Sequence, residues 1–302
     1  MWSVSAHPDG PLLPHDLWTA WNTEPSLLIP IAVTIILYAW GIRQVWQHAG
    51  AGRGITRRSW MCFFGGILSL LIALVSPLDA LAGVLFSAHM AQHLILILLA
   101  APLLVMSDFP LALLWGVPRS SAHSVGYRAH QSQALSRVWK IVSSPIAAWF
   151  LFAISMWFWH APTLYEAALR NEALHDVEHL AFLVTGMLFW WVLFRHTTQK
   201  QIHYGMAIPY LFTTVLHTGI LGALMTFTSQ PWYTYYADLV VPWGLTPLQD
   251  QQLAGLIMWL PGGTVLTLFT IGYFAAWLRV LEQRNVRSTR RNDLATRHEL
   301  KD

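Results

Sequence analysis

Residues 88–107 read AHMAQHLILILLAAPLLVMS, a stretch without a charged side chain that carries His89 and His93 four residues apart near its start. At a rise of about 1.5 Å per residue, a helix of this length matches a bilayer hydrocarbon core of roughly 30 Å. Six further stretches pass the same test, approximately 26–46, 59–77, 143–160, 174–194, 206–228 and 252–278. All are continuously apolar and lack period-two alternation, so helices rather than barrel strands satisfy the backbone in lipid. Composition agrees, with 55% hydrophobic residues, 11% charged residues and 17 tryptophans. That balance excludes a soluble domain. The expected fold is an all-α, polytopic membrane bundle of seven transmembrane helices. An N-terminal segment (1–25) precedes the transmembrane domain (26–278), and a basic tail (279–302) follows it. Phe109 to Val117 is too short to span and reads as a re-entrant piece, an interfacial piece or a continuation of the third helix.

Loop charge sets the expected orientation, because lysine and arginine are retained on the cytoplasmic side. Of the 18 basic residues, only Arg170 falls in a segment on the opposite side from all the others. The N-terminus is therefore expected outside and the C-terminus inside. Residues 1–25 hold Asp9, Asp16 and Glu24 in place of a basic start and apolar core, so the first span is expected to act as its own insertion signal. Ten acids fall on the outer side: Asp9, Asp16, Glu24, Asp79, Glu166, Glu172, Asp176, Glu178, Asp238 and Asp250. Such a surface attracts cations through its summed field, although topogenesis alone leaves the same asymmetry.

Histidine placement carries the functional signal. His89/His93 and His175/His179 each have the i,i+4 spacing that puts both rings on one helix face. With the orientation above, these four lie in the first outer turns of the third and fifth helices. His160, in Trp159-His160-Ala161-Pro162, ends the fourth helix at the same level. His217 lies roughly 15 Å deeper on the sixth helix. Each alone reads equally well as a polar helix end bonded to a carbonyl or water. Together, ionisable groups at one depth in a membrane are functional candidates that need a partner, and the expected partner is a metal ion. The candidate ligands are His89, His93, His160, His175, His179 and His217, at a shallow, solvent-reachable site rimmed by acids. The other eight histidines are in polar segments and receive no role.

Imidazole suits copper, zinc and iron, whereas thioether sulfur biases a site toward Cu(I). Met90, Met156, Met225 and Met258 fall in outer helix halves and Met61, Met106, Met187 and Met206 in inner halves, so methionine shows no enrichment. Glu178, between His175 and His179, is open to three readings: ligand, ring-orienting partner or headgroup-level charge. The one cysteine, Cys62, rules out a disulfide within the chain and a paired-thiolate site.

The segments Ser76-Pro77-Leu78-Asp79, His89-Met90-Ala91-Gln92-His93-Leu94 and Ala101-Pro102-Leu103-Leu104 resemble the core signature of the seven-span CtaG family of cytochrome c oxidase assembly factors. So do Trp159-His160-Ala161-Pro162, Tyr165, His175 through Glu178-His179 to Phe182, Gly186 and Trp190-Trp191. The match covers approximately residues 20–280 in motif order. The resemblance implies a non-enzymatic, multi-pass protein of the bacterial plasma membrane that helps mature a haem–copper oxidase. It implies copper handling at the outer face, with an oxidase subunit and outer copper carriers as partners. His89, His93, His160, His175 and His179 match family motifs, and His217 is added from depth alone.

Three other readings use the same residues. A haem-binding redox protein would hold haem between histidines of different helices, but Arg170 is the sole outer cation for propionates. A non-haem dinuclear oxygenase also clusters HxxxH faces, but an HxxHH box is missing. A copper permease would use His217 as a deeper stop. Outside the bundle core, 119–140 reads as a solvated inner loop, 279 onward as a basic anchor on anionic headgroups, and Gln230 to Asp250 as an interfacial aromatic lid. Pro102, Pro209 and Leu260-Pro261-Gly262-Gly263 are expected to kink their helices or mark a cavity.

Overall fold

A computed structural model describes residues 12–116, 132–198 and 204–299 of the chain, and every regular element among them is helical. The helices are α1 (Pro25–Ala49), α2 (Arg57–Leu74), α3 (Pro77–Ala82), α4 (Phe86–Met106), α5 (Phe109–Gly116), α6 (Gln133–Val142) and α7 (Pro145–Trp159). They continue with α8 (Pro162–Arg170), α9 (Glu172–Thr198), α10 (Tyr204–Phe227) and α11 (Pro247–Glu299). Six of these are long and apolar enough to cross a membrane. A seventh crossing exists only if α6 and α7, bent by 69° at their junction, are taken as one span.

The bend corrects the expected solvated loop, because its C-terminal part is the helix α6. Leu135, Val138, Trp139 and Ile141 of α6 are exposed beside Arg137 and Lys140, so the helix carries apolar and basic side chains together. Most of the preceding stretch, 117–131, lies outside the described residues. The α7 stack alone, 15 residues, reaches only about 22 Å.

Phe109–Gly116 is a separate helix rather than an extension of α4. The chain breaks at Asp108, whose φ of 53° lies in the left-handed region. Helix α5 then packs on α1, where a Cβ on Gly41 would sit 1.8 Å from the Ala112 carbonyl oxygen. Small residues permit such backbone approach between helices in lipid. Helices α10 and α11 also meet through glycine: a Cβ on Gly255 would lie 2.6 Å from the Gly222 carbonyl oxygen.

Pro102 acts through a wider turn. Leu96–Ala100 is π-helical, and the Ile97 carbonyl accepts a 2.8 Å hydrogen bond from Trp190 Nε1. A proline removes an N–H from the ladder ahead of it, and a neighbouring helix here supplies a donor. Pro209 and Pro261 sit inside unbroken helices. Helix α11 also runs without interruption past residue 279, where a separate tail was expected to start. Its 53 residues extend about 80 Å, more than twice the hydrocarbon thickness, so its charged end projects beyond the bundle.

Gly41→Ala is expected to push α5 off α1 and cost about 1–3 kcal/mol of stability, the usual range for overpacking. Gly263→Ala, in a helix where a Cβ meets nothing within 4 Å, is the control and is expected to be neutral or stabilising. Thermal unfolding of the two detergent-purified variants checks the difference.

Candidate metal centre

Helix α4 enters the bundle with its first turn held from outside its own sequence. Its N-cap, Leu85, offers no side-chain acceptor. Asp250, from the first turn of α11, supplies one: its carboxylate accepts from Phe86 N at 2.6 Å and Ser87 N at 3.1 Å, and from the Ser87 hydroxyl. A carboxylate at this position satisfies orphan N–H groups and complements the helix dipole. Rotation of α4 is set one turn later by Gln92, whose Nε2 donates to the Ala73 carbonyl at 2.7 Å and to Asp79 Oδ1 at 2.8 Å. Asp79 also accepts from Asn22 Nδ2 at 2.9 Å, which ties the N-terminal segment to the same node. Asp79 is carried by α3, whose N-cap is Ser76 and whose first residue is Pro77. Burial pushes the Asp79 carboxyl up to about 6, against the lowering effect of the bonds from Asn22 and Gln92.

With α4 so fixed, His89 and His93 face His175, Glu178 and His179 of α9. Ring centroids lie 4.3 Å apart for His89–His93, 4.2 Å for His175–His179, 5.2 Å for His89–His175 and 5.2 Å for His93–His179. Two ligand sets have their donor atoms within 4.8 Å of one another, His89–His175–His179 and His89–His93–Glu178, and they share His89. His89 Nε2 and His93 Nε2 stand 4.0 Å and 3.9 Å from the two oxygens of Glu178. Those gaps are too long for hydrogen bonds. They approach the roughly 3.4 Å edge that two donors span around a tetrahedral ion at about 2.1 Å.

The buried polar atoms point the same way. Both nitrogens of His89 and of His93, both oxygens of Glu178 and Nε2 of His179 make no well-formed hydrogen bond within the protein. Buried polar groups are ordinarily paired, and a buried carboxylate without a partner costs several kcal/mol. One ring nitrogen from each of His89, His93 and His179, together with the Glu178 carboxylate, would have a partner in a metal ion, the other nitrogen of each ring keeping its proton, so the residues fit one. Glu178, which sequence left open among three roles, points among the histidines and is fully buried.

The cluster is closed, which corrects the expectation of a shallow, solvent-reachable site. His89 and Glu178 are fully buried, and His93, His175 and His179 are at most 7% exposed. Segment 230–243 lies over it. Tyr233 and Tyr236 pack on Phe86 and Tyr165, and Tyr165 in turn meets His89 at 5.3 Å between centroids. Tyr233 donates to the His160 carbonyl at 2.9 Å, and the Tyr165 and Tyr236 hydroxyls are 2.9 Å apart. The aromatic stretch expected as a lid thus covers the cluster. Asp79, Glu178 and Asp250 are buried as well, so three of the ten acids counted as an outer surface are interior groups.

His160 and His217 stand apart from the two ligand sets. His160 is buried beside them, its ring 6.3 Å from that of His93, with Nδ1 bonded to the Met156 carbonyl at 2.7 Å. His217 lies on α10 against Trp149 and Phe152 of α7, at 5.4 Å and 6.3 Å. Spacing within one helix could not show which neighbour each would face. Nor did it assign roles to Gln92, Asp79 and Asp250, although Gln92 lies between the paired histidines.

Asp79 yields a pH test. Its folded pKa, about 6, exceeds the ordinary 3.8, so the stability it contributes is full below about 4 and is lost as pH rises through 6. The size is of order 2–3 kcal/mol. Asp79→Asn is expected to flatten that part of the profile, read as the difference in unfolding midpoint from wild type between pH 4 and 7.

Comparison with known proteins places this arrangement. Proteins described as uncharacterized from Mycobacterium bovis and Mycobacterium tuberculosis are each 27% identical to the chain over 284 residues, covering 87% of it and 43% of their own length. One from Mycobacterium leprae is 25% identical over 283 residues, covering 91% and 42%. The chain therefore spans less than half the length of these curated relatives. No solved structure matches it. The family model of the cytochrome c oxidase caa3 assembly factor, Caa3_CtaG, matches residues 36–280, and those residues include every histidine of the cluster, so the chain belongs to that family.

Proposed function

We propose that this protein takes copper into the cluster of His89, His93, His175, His179 and Glu178 and hands it on during assembly of a haem–copper cytochrome c oxidase. One observation carries the reading: four imidazoles and a carboxylate converge in a buried space, and His89, His93, Nε2 of His179 and Glu178 find no well-formed hydrogen bond within the protein there. Imidazole donors suit copper, zinc and iron alike. Membership of an oxidase assembly family favours copper among them, since the oxidase to be completed carries copper centres. The ion is cargo in this reading, so no residue is assigned a catalytic role.

The protein sits in a bacterial plasma membrane with its N-terminus outside. Loop charge supports this sidedness, because Arg170 alone among the basic residues lies at the end that carries the histidines. The cluster then opens toward outer copper carriers and toward the oxidase subunit that receives the ion. Capture and release require the cover of Tyr165, Tyr233 and Tyr236 to part, and its few hydrogen bonds, chiefly Tyr233 to the His160 carbonyl and Tyr165 to Tyr236, are what must break. Arg170, the outer cation a haem would need, is engaged by Glu166 at 3.7 Å and lies over the Tyr235 ring, which weighs against the haem reading.

The test is metal analysis and an absorption spectrum on one detergent-purified sample. Wild type is expected to retain about one copper per chain without a Soret band, and His93→Ala combined with His179→Ala to lose it while remaining folded. Unaltered copper in that variant would remove the site. A Soret band would replace the reading with a cytochrome, and iron without haem with a dinuclear oxygenase. Metal-free protein that still binds an oxidase subunit would make it a scaffold.

A further inference from the structure

Beside the histidine–carboxylate cluster lies a cavity of about 40 Å³, several times the roughly 10–15 Å³ that one water molecule needs. Its wall contains three methionines from three helices, Met90 of α4, Met156 of α7 and Met258 of α11, together with His93 and His160. All five side chains are buried. Counted along the chain, methionine is spread evenly between the two halves of the bundle. Folding gathers these three at one point.

The His160 ring meets one of them directly. Its Nδ1 lies 2.7 Å from the Met156 carbonyl, which can only accept, so Nδ1 holds the proton and Nε2 presents a lone pair. That lone pair points at the sulfur of Met90, 3.3 Å away. Neither atom has a proton to share with the other. Two such donors are complementary to a cation, and about 3.5 Å separates a nitrogen and a sulfur bound to one ion at about 2.0 and 2.3 Å. Thioether sulfur selects soft, monovalent copper over harder divalent ions.

We propose that Met90, Met156, Met258 and Nε2 of His160 form a second metal site, specific for a soft monovalent cation, Cu(I) or its mimic Ag(I). His93 belongs to both neighbourhoods, a ligand candidate beside Glu178 and a wall of the methionine cavity. An ion leaving the first site therefore meets the second across one side chain. The inference rests on the copper reading for its biological ion, but the two sites answer to different probes. The first is a set of imidazoles and a carboxylate that Zn(II) can fill, and the second is the sulfur site.

The experiment titrates the 302-residue protein in detergent with Zn(II) and, separately, with Ag(I). Met90→Leu, Met156→Leu and Met258→Leu are combined in one variant, near-isosteric changes that a core tolerates. The expected result is about a hundredfold weaker Ag(I) binding with Zn(II) binding unchanged, the latter also showing that the variant is folded. X-ray absorption of the Cu(I)-loaded wild type is expected to show sulfur neighbours that the variant lacks. Ag(I) binding unchanged in the triple variant, or a Cu(I) spectrum with nitrogen and oxygen neighbours alone, would overturn this site and leave the first intact. Wild type that binds Ag(I) but not Zn(II) would instead remove the histidine–carboxylate site, and wild type that binds neither would remove both.

Discussion

A carboxylate buried in a membrane-spanning bundle among four imidazoles is the constraint on which the rest of this structure turns. Glu178 is fully enclosed, and its oxygens stand too far from His89 and His93 for hydrogen bonds. In a low-dielectric interior such a group must be neutralised or matched by a cation. His89, His93 and Nε2 of His179, which also lack well-formed hydrogen bonds within the protein, converge on the same space. A fold that served only its own stability would gain by filling this space with apolar side chains. The proposed ion would match this polar cluster where apolar packing does not.

Holding those groups in register demands a rigid frame, and the frame is made of polar contacts between helices. Asp250 caps α4, Gln92 links α4 to α2 and α3, and Asp79 joins both to the N-terminal segment. Each bond is made where water is scarce, so each is hard to exchange and pins its helix. The tyrosines above complete the enclosure through ring packing and hydroxyl contacts.

Much of this was legible without coordinates. Membrane-length apolar runs define helices because lipid leaves the backbone no other partner, and HxxxH spacing puts both rings of a pair on one face. Two errors share a cause. Asp79 and Asp250 look like surface charges, and the histidines look solvent-reachable, because position along a helix gives depth but not direction. The stretch after 132 looked like a loop since its apolar residues are too few to span; in the helix α6 they lie exposed beside basic side chains instead.

The amino-acid sequence by itself determined the class, the number of long apolar segments and the pairing of histidines, since all three depend on neighbours within one helix. Family membership followed from the order of short motifs along the chain. Only the tertiary structure placed Glu178 among the histidines, His217 against Trp149 and Phe152, and three scattered methionines around one cavity with His160. Those outcomes depend on which face of each helix meets which neighbour. Crossing points such as Gly41 on Ala112 and Gly222 on Gly255 set that, through contacts between residues far apart in the chain.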